Sequence, residues 1–285
     1  MAELAHYEST LEQLISDHLE ANGWFAGTAT NYSRDLGLDT KELLAFIQAT
    51  QPDAWKRLVT MHGTEAAAVT KFSKRLASEI TEHGAIYVLR KGVKDLGVKI
   101  ELAYFAPAHE LTELLGVLYA ANRLTITRQV KMSETSLDDS IDLVFFVNGI
   151  PVATAELKSQ TAGQNVKDAI RQYRYDRKPS DLIFRYRSLI NFAVDEDDVF
   201  MTTKLQGANT IFQPFNQGSA GPGKDGGKGN PLNPEGERTS YLWEQILQRD
   251  NWLKLLGSYI HTAHLKDEAT GKLSGETRTV FPRFH

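Results

Sequence analysis

The stretch from Ser140 to Lys158, S-I-D-L-V-F-F-V-N-G-I-P-V-A-T-A-E-L-K, constrains the fold more than any other. Two runs rich in Val, Phe, Ile and Thr flank Asn148-Gly149, a pair that tolerates the left-handed backbone of a tight hairpin turn. Both runs read as strands buried on both faces. Each nevertheless carries one acid, Asp142 and Glu156, and Lys158 follows Glu156 on the same side of its strand. A buried carboxylate is costly without a counter-charge. Two carboxylates and a lysine on one face suit a divalent metal ion. The competing reading is an exposed strand face with Lys158 as salt-bridge partner. Spacing does not separate the two, but the apolar flanks favour the metal.

Register decides whether such a site can form. A two-residue turn pairs Val147 with Ile150, sets Asp142 opposite Ala155 and sends Glu156 to the other face. A three-residue loop, Val147-Asn148-Gly149, with Gly149 left-handed in a bulge, pairs Phe146 with Ile150. Asp142 then lies opposite Thr154, on the face of Glu156 and Lys158. An odd-numbered loop or a bulge is therefore expected.

Around this hairpin the chain alternates helical and strand patterns. Leu11, Leu14, Ile15 and Leu19 recur at helical spacing before Gly23, and on spacing alone Glu8 and Glu12 are solvated acids of that helix. Residues 38–82 read as a helical insertion opened by a capping box at Asp39 and Glu42. His62 and His83 have no second ligand at metal spacing there. Strands are expected at Val98 to Phe105 and Arg123 to Met132, with a helix between, at about His109 to Ala121.

Beyond the hairpin, Asn165 caps a helix to about Lys178. It carries Arg171, Arg174, Arg177 and Lys178, with Arg185 and Arg187 beyond, the densest basic segment of the chain. The formal net charge of −4 argues against coating nucleic acid by bulk charge alone, so any DNA contact must come from a local patch like this one. Two more strands enclose the turn Asp195-Glu196-Asp197-Asp198, which lacks the spaced ligands of a calcium loop and reads as solvated. Thr210 to Phe215 adds an edge strand. Residues 216–240, rich in Gly, Pro and Asn, read as a flexible loop, and an amphipathic helix follows. The final stretch shows no terminal structure.

There are no cysteines, which excludes disulfides and thiolate chemistry. Neither a secretory leader nor an apolar run of about 18 residues is present, so a cytoplasmic protein without a membrane partner is expected.

The run S-I-D-L-V-F-F-V-N-G-I-P-V-A-T-A-E-L-K-S, then D-A-I-R-Q-Y-R-Y-D-R, F-A-V-D-E-D-D-V-F-M-T-T-K-L and Y-L-W-E-Q-I-L-Q-R-D, resembles the N-terminal nuclease domain of the restriction (R) subunit of type I restriction-modification enzymes. That domain belongs to the PD-(D/E)xK nuclease superfamily. The resemblance implies an α/β fold, a mixed sheet flanked by helices, spanning residues 1–215, with residues 241–285 leading to an ATP-driven motor carried by further sequence. It assigns Asp142 and Glu156 to the metal, Lys158 to catalysis and Glu12 to completing the site, with Glu8 as substitute. Gln172 matches the glutamine of a Q-x-x-x-Y element, but the fourth position after it is Asp176; tyrosines stand at 173 and 175 instead, either of which could take the role, and Tyr175 is preferred.

The implied activity is a magnesium-dependent endonuclease acting on unmodified double-stranded DNA in host defence, with ATP bound only by the motor. Methyltransferase and specificity subunits are the implied partners. Arg171, Arg174, Tyr175, Arg177 and Lys178 are the candidate DNA contacts. Two other functions fit the same residues: a non-catalytic module docking the motor to those subunits, and a standalone structure-specific nuclease.

Overall fold

A computed structural model of the chain describes residues 2–106, 112–132, 139–266 and 273–282, without the side chains of 2–9 and 263–278. Helix α1 (Ala2–Ala21) buries Leu11, Ile15 and Leu19 and leads into the short strands β1 (Phe25–Ala26), β2 (Tyr32–Ser33) and β3 (Leu38–Asp39). The expected insertion is three helices, α2 (Thr40–Thr50), α3 (Pro52–His62) and α4 (Glu65–His83). Asp39 caps α2 by accepting from the amides of Lys41 and Glu42, but Glu42 does not close the capping box. Its carboxylate pairs with Arg123 Nε at 2.6 Å, while the Asp39 amide donates to Gly149 O at 2.8 Å.

A glycine-broken stretch read as short apolar runs forms helix α5 (Ala85–Lys91) and the small hairpin β4 (Val93–Asp95) and β5 (Val98–Ile100). The strand expected to reach Phe105 thus stops at Ile100. Helix α6 (Glu113–Ala120) follows, the start of its expected range lying outside the described residues.

Next come β6 (Leu124–Lys131), β7 (Ser140–Val147), β8 (Ile150–Leu157), helix α7 (Val166–Tyr175), β9 (Ile190–Val194), β10 (Val199–Thr202) and β11 (Gln213–Pro214). They build a seven-stranded mixed sheet ordered β1-β6-β7-β8-β9-β10-β11, parallel at β1–β6 and β8–β9 and antiparallel elsewhere. The fold is therefore the α/β arrangement expected, a mixed sheet with helices on its faces. One core lies between the sheet, α1 and the inserted helices; a second, smaller one lies beneath α7, where Tyr173 and Phe184 meet Val144 and Phe146.

Trp243, Leu247, Trp252, Leu256, Ile260 and Phe281, from the stretch expected to lead toward a motor, are buried in the first core. The expected single helix is broken into a π-helical turn (Leu242–Ile246), α8 (Arg249–Lys254) and a second π-helical turn (Leu255–Tyr259). Trp243, Trp252, Leu256 and Phe281 are buried there, and Trp24 Nε1 donates to Leu247 O at 2.9 Å. The terminal stretch, expected to lack structure, pairs β12 (His261–Lys266) with β13 (Leu273–Val280).

The segment 216–240 is held rather than free. Asn216 accepts from Val199 N at 2.8 Å, Asn230 accepts from Gln217 N at 2.8 Å, and Thr239 Oγ1 donates to Asp195 O at 2.8 Å. A stretch with few apolar side chains is thus fixed by amide and hydroxyl groups, a kind of order that composition does not reveal.

Candidate metal centre

The hairpin turn takes two residues, not three. Asn148 and Gly149 have φ of 51° and 79°, and Val147 pairs with Ile150. Both turn residues are crowded: Asn148 is fully buried, its Nδ2 donating to Leu102 O at 2.8 Å. A Cβ on residue 149 would lie 2.2 Å from Asp39 O, so glycine is required twice over. The extra residue sits instead in β8. Phe146 pairs with Pro151 but Phe145 with Ala153, so Val152 is bulged out. The expected pairing of Asp142 with Thr154 is thereby corrected: Val144 faces Thr154 and Leu143 faces Ala155, where the pairing ends, and Asp142 is the next residue of β7. A bulge is present, at a different place from the one expected.

The ladder stops at this point. Asp142 Oδ2 accepts from the Leu157 amide at 2.8 Å, its carboxylate standing in for a backbone carbonyl. Glu156 is completely buried. One of its oxygens, Oε1, accepts from Arg177 Nε at 2.6 Å, and the other, Oε2, is buried without a hydrogen-bond partner among the described residues. Burial first, and then the Asp142 carboxylate, push the Glu156 pKa up to about 8, outweighing Arg177 and Lys158, which pull it down. Lys158 is half-buried and its amide donates to Val194 O at 2.9 Å.

Arg177 is therefore misplaced among candidate DNA contacts. It is 4% exposed, and besides Glu156 it reaches Asp139 Oδ1 at 3.4 Å and Ser140 O at 2.5 Å. Its guanidinium ties the start of β7 to the end of β8 where the ladder has parted. Burial alone would lower its pKa, but Glu156 holds it up. Arg174 is likewise committed, to Thr210 O at 2.9 and 3.0 Å. Arg171, Tyr175 and Lys178 are exposed. Tyr173 is instead buried under the sheet, its hydroxyl 2.8 Å from Thr154 Oγ1, which donates to Asn191 Oδ1 at 2.7 Å. Gln172 Oε1 is buried without a partner among the described residues.

Glu12 is buried beside the site, contrary to a solvated reading from spacing. Its Oε1 accepts from Arg128 Nε at 2.5 Å and its Oε2 from Gln129 Nε2 at 3.0 Å. Gln129 Nε2 also lies 3.3 Å from Asp142 Oδ1. Glu8's side chain lies outside the described residues.

A divalent cation fits the donor set of Asp142 and Glu156, because the unpartnered Glu156 Oε2 and the mutual repulsion of two carboxylates are what a bound cation would relieve. Elsewhere, Glu79, Glu82 and His83 on α4 bring one ligand atom each within 4.8 Å of the others, a convergence that the expectation for His83 overlooked. Their i, i+3, i+4 spacing was its sequence signal. They are largely exposed, and Arg75 already pairs with Glu79.

The acidic turn before β10 differs from the solvated turn expected. Asp195 is 2% exposed, with Oδ1 accepting from the amides of Asp197 and Asp198 and Oδ2 from Val166 N. Glu196 accepts from Ser159 Oγ and the Gln160 amide.

Comparison with curated proteins finds no match. The sequence model of the type I restriction enzyme R protein N terminus matches residues 6–210, which include Glu12, both strands of the hairpin and α7. The chain belongs to that family.

Proposed function

We propose that Asp142, Glu156 and Lys158 form a magnesium-dependent endonuclease centre. It hydrolyses phosphodiester bonds of unmodified double-stranded DNA, inside a restriction complex whose motor supplies ATP hydrolysis. The observation that supports this best is Glu156 Oε2: a fully buried carboxylate oxygen without a partner among the described residues, close enough to the Asp142 carboxylate to be repelled by it. A structural acid at such a depth would have both oxygens satisfied.

Asp142 and Glu156 would hold the ion, with Arg177 fixing Glu156 through Oε1 so that Oε2 stays available. A bound magnesium ion supplies Lewis acidity toward the phosphate and lowers the pKa of an attacking water. Lys158, one strand repeat beyond Glu156, orients that water and offsets charge developing on the phosphate. Arg171, Tyr175 and Lys178, which are exposed, would contact the DNA backbone, and sequence recognition would belong to the specificity subunit. In the assembled complex, Asp142→Ala, Glu156→Ala and Lys158→Ala should each abolish cleavage while the chain stays folded. Calorimetry with Mn²⁺ should show a site that Glu156→Ala removes. Full cleavage by well-folded Asp142→Ala would refute the reading.

A further inference from the structure

Strand β6 crosses from one core to the other at a single residue. Leu124 and Ile126 belong to the first core and Val130 to the second, although regular alternation would keep all three on one face. Between them Gln129 has φ of 52°, a left-handed backbone at a residue that is not glycine. The register with β7 does not slip, since Arg128 pairs with Leu143 and Val130 with Ile141. The left-handed residue therefore turns the alternation over instead of adding a bulge.

Its side chain lands among the carboxylates. Nε2 donates to Glu12 Oε2 at 3.0 Å and to Asp142 Oδ1 at 3.3 Å, while Oε1 accepts from Ser140 Oγ at 2.7 Å. Gln129 is exposed, so packing does not require it. Glu12 has both oxygens engaged, by Arg128 and Gln129, whereas Glu156 keeps one without a partner among the described residues. Nor do Glu12, Asp142 and Glu156 converge to metal-ligand spacing among the described residues.

We infer that Gln129 is a positioning residue, whose side-chain amide clamps Asp142 to Glu12, so that Glu12 serves the metal centre through Gln129 and not as a direct ligand. The inference rests on the metal-centre reading, and metal-free and metal-bound measurements separate the two. Gln129→Gly removes the amide and suits the left-handed backbone, so the variant should fold at least as stably as the parent.

In the metal-free chain, hydrogen exchange followed by NMR should show the Leu157 amide, bonded to Asp142 Oδ2, exchanging about tenfold faster in Gln129→Gly. The Lys158 amide, bonded to Val194 O, should be unchanged. Mn²⁺ calorimetry should show affinity about 10–100-fold weaker in Gln129→Gly and in Glu12→Ala, and no weaker in the double variant. Unchanged Leu157 exchange overturns the clamp. Additive losses, or a far larger loss in Glu12→Ala alone, overturn the indirect role of Glu12. If the parent chain binds no Mn²⁺, the metal reading fails, and Leu157 exchange alone decides the clamp.

Discussion

The chain holds two concentrations of acid on neighbouring strands, and they are built in opposite ways. The turn Asp195 to Asp198 has more carboxylates, yet Asp195 and Glu196 have every oxygen taken by backbone amides or a serine hydroxyl. The pair Asp142 and Glu156 has fewer, but one buried oxygen, Glu156 Oε2, has no partner among the described residues. Counting acids would choose the turn; counting unsatisfied oxygens among the described residues chooses the hairpin. What distinguishes them is whether the protein has already spent each lone pair on itself.

The comparison can be broken in three places. The largest effect expected is on chemistry: Glu156→Ala should lower cleavage by the assembled complex at least about 10³-fold and leave folding intact. Asp195→Ala should do the reverse, keeping the Mn²⁺ site while unfolding more easily in denaturant by about 2–4 kcal/mol. It strips the acceptor from three backbone amides, one of them at the start of α7.

The next effect concerns pH. Glu156 has an ordinary pKa of 4.5 and is raised to about 8 in the folded chain, so the folded state holds a proton that the unfolded state has released. The stability this contributes is full below about 4.5 and is lost as pH rises to about 8. Metal-free melting should decline over that window and Mn²⁺ should restore it. Mn²⁺ affinity should climb up to about tenfold per unit below pH 8, with a proton released on binding. A flat profile would place the oxygen of Glu156 in contact with a donor.

The smallest effect expected is at Asp197. It is half-exposed and 3.5 Å from Arg238, so Asp197→Asn should move stability by no more than about 0.5 kcal/mol in denaturant titrations.

The acids were legible in the sequence because they interrupt apolar runs, and the hairpin because Asn148-Gly149 suits its turn. The bulge was misplaced, although Pro151 was its sign: proline cannot donate within a central ladder, so its neighbourhood is where pairing gives way. Arg177 could not be separated from Arg171 or Lys178 by sequence, because all three lie in one charge run. Only the packing of α7 shows that one points inward. Gln129 left no signal at all, since a left-handed glutamine is set by the strands and helix around it. The same holds for segment 216–240, whose order comes from side-chain amides finding partners far along the chain.

One contact reaches further than its size suggests. Trp24 donates to Leu247, so the helix that carries Glu12 is locked by residues more than two hundred positions later. During synthesis every acid of the site leaves the ribosome well before that lock does. A nascent chain ending near residue 215 would hold all the ligands but lack Trp243, Trp252 and Leu256 from its core. The proposed ligands and the packing that steadies α1 thus come from stretches far apart in the described chain, joined by one hydrogen bond and a shared apolar core.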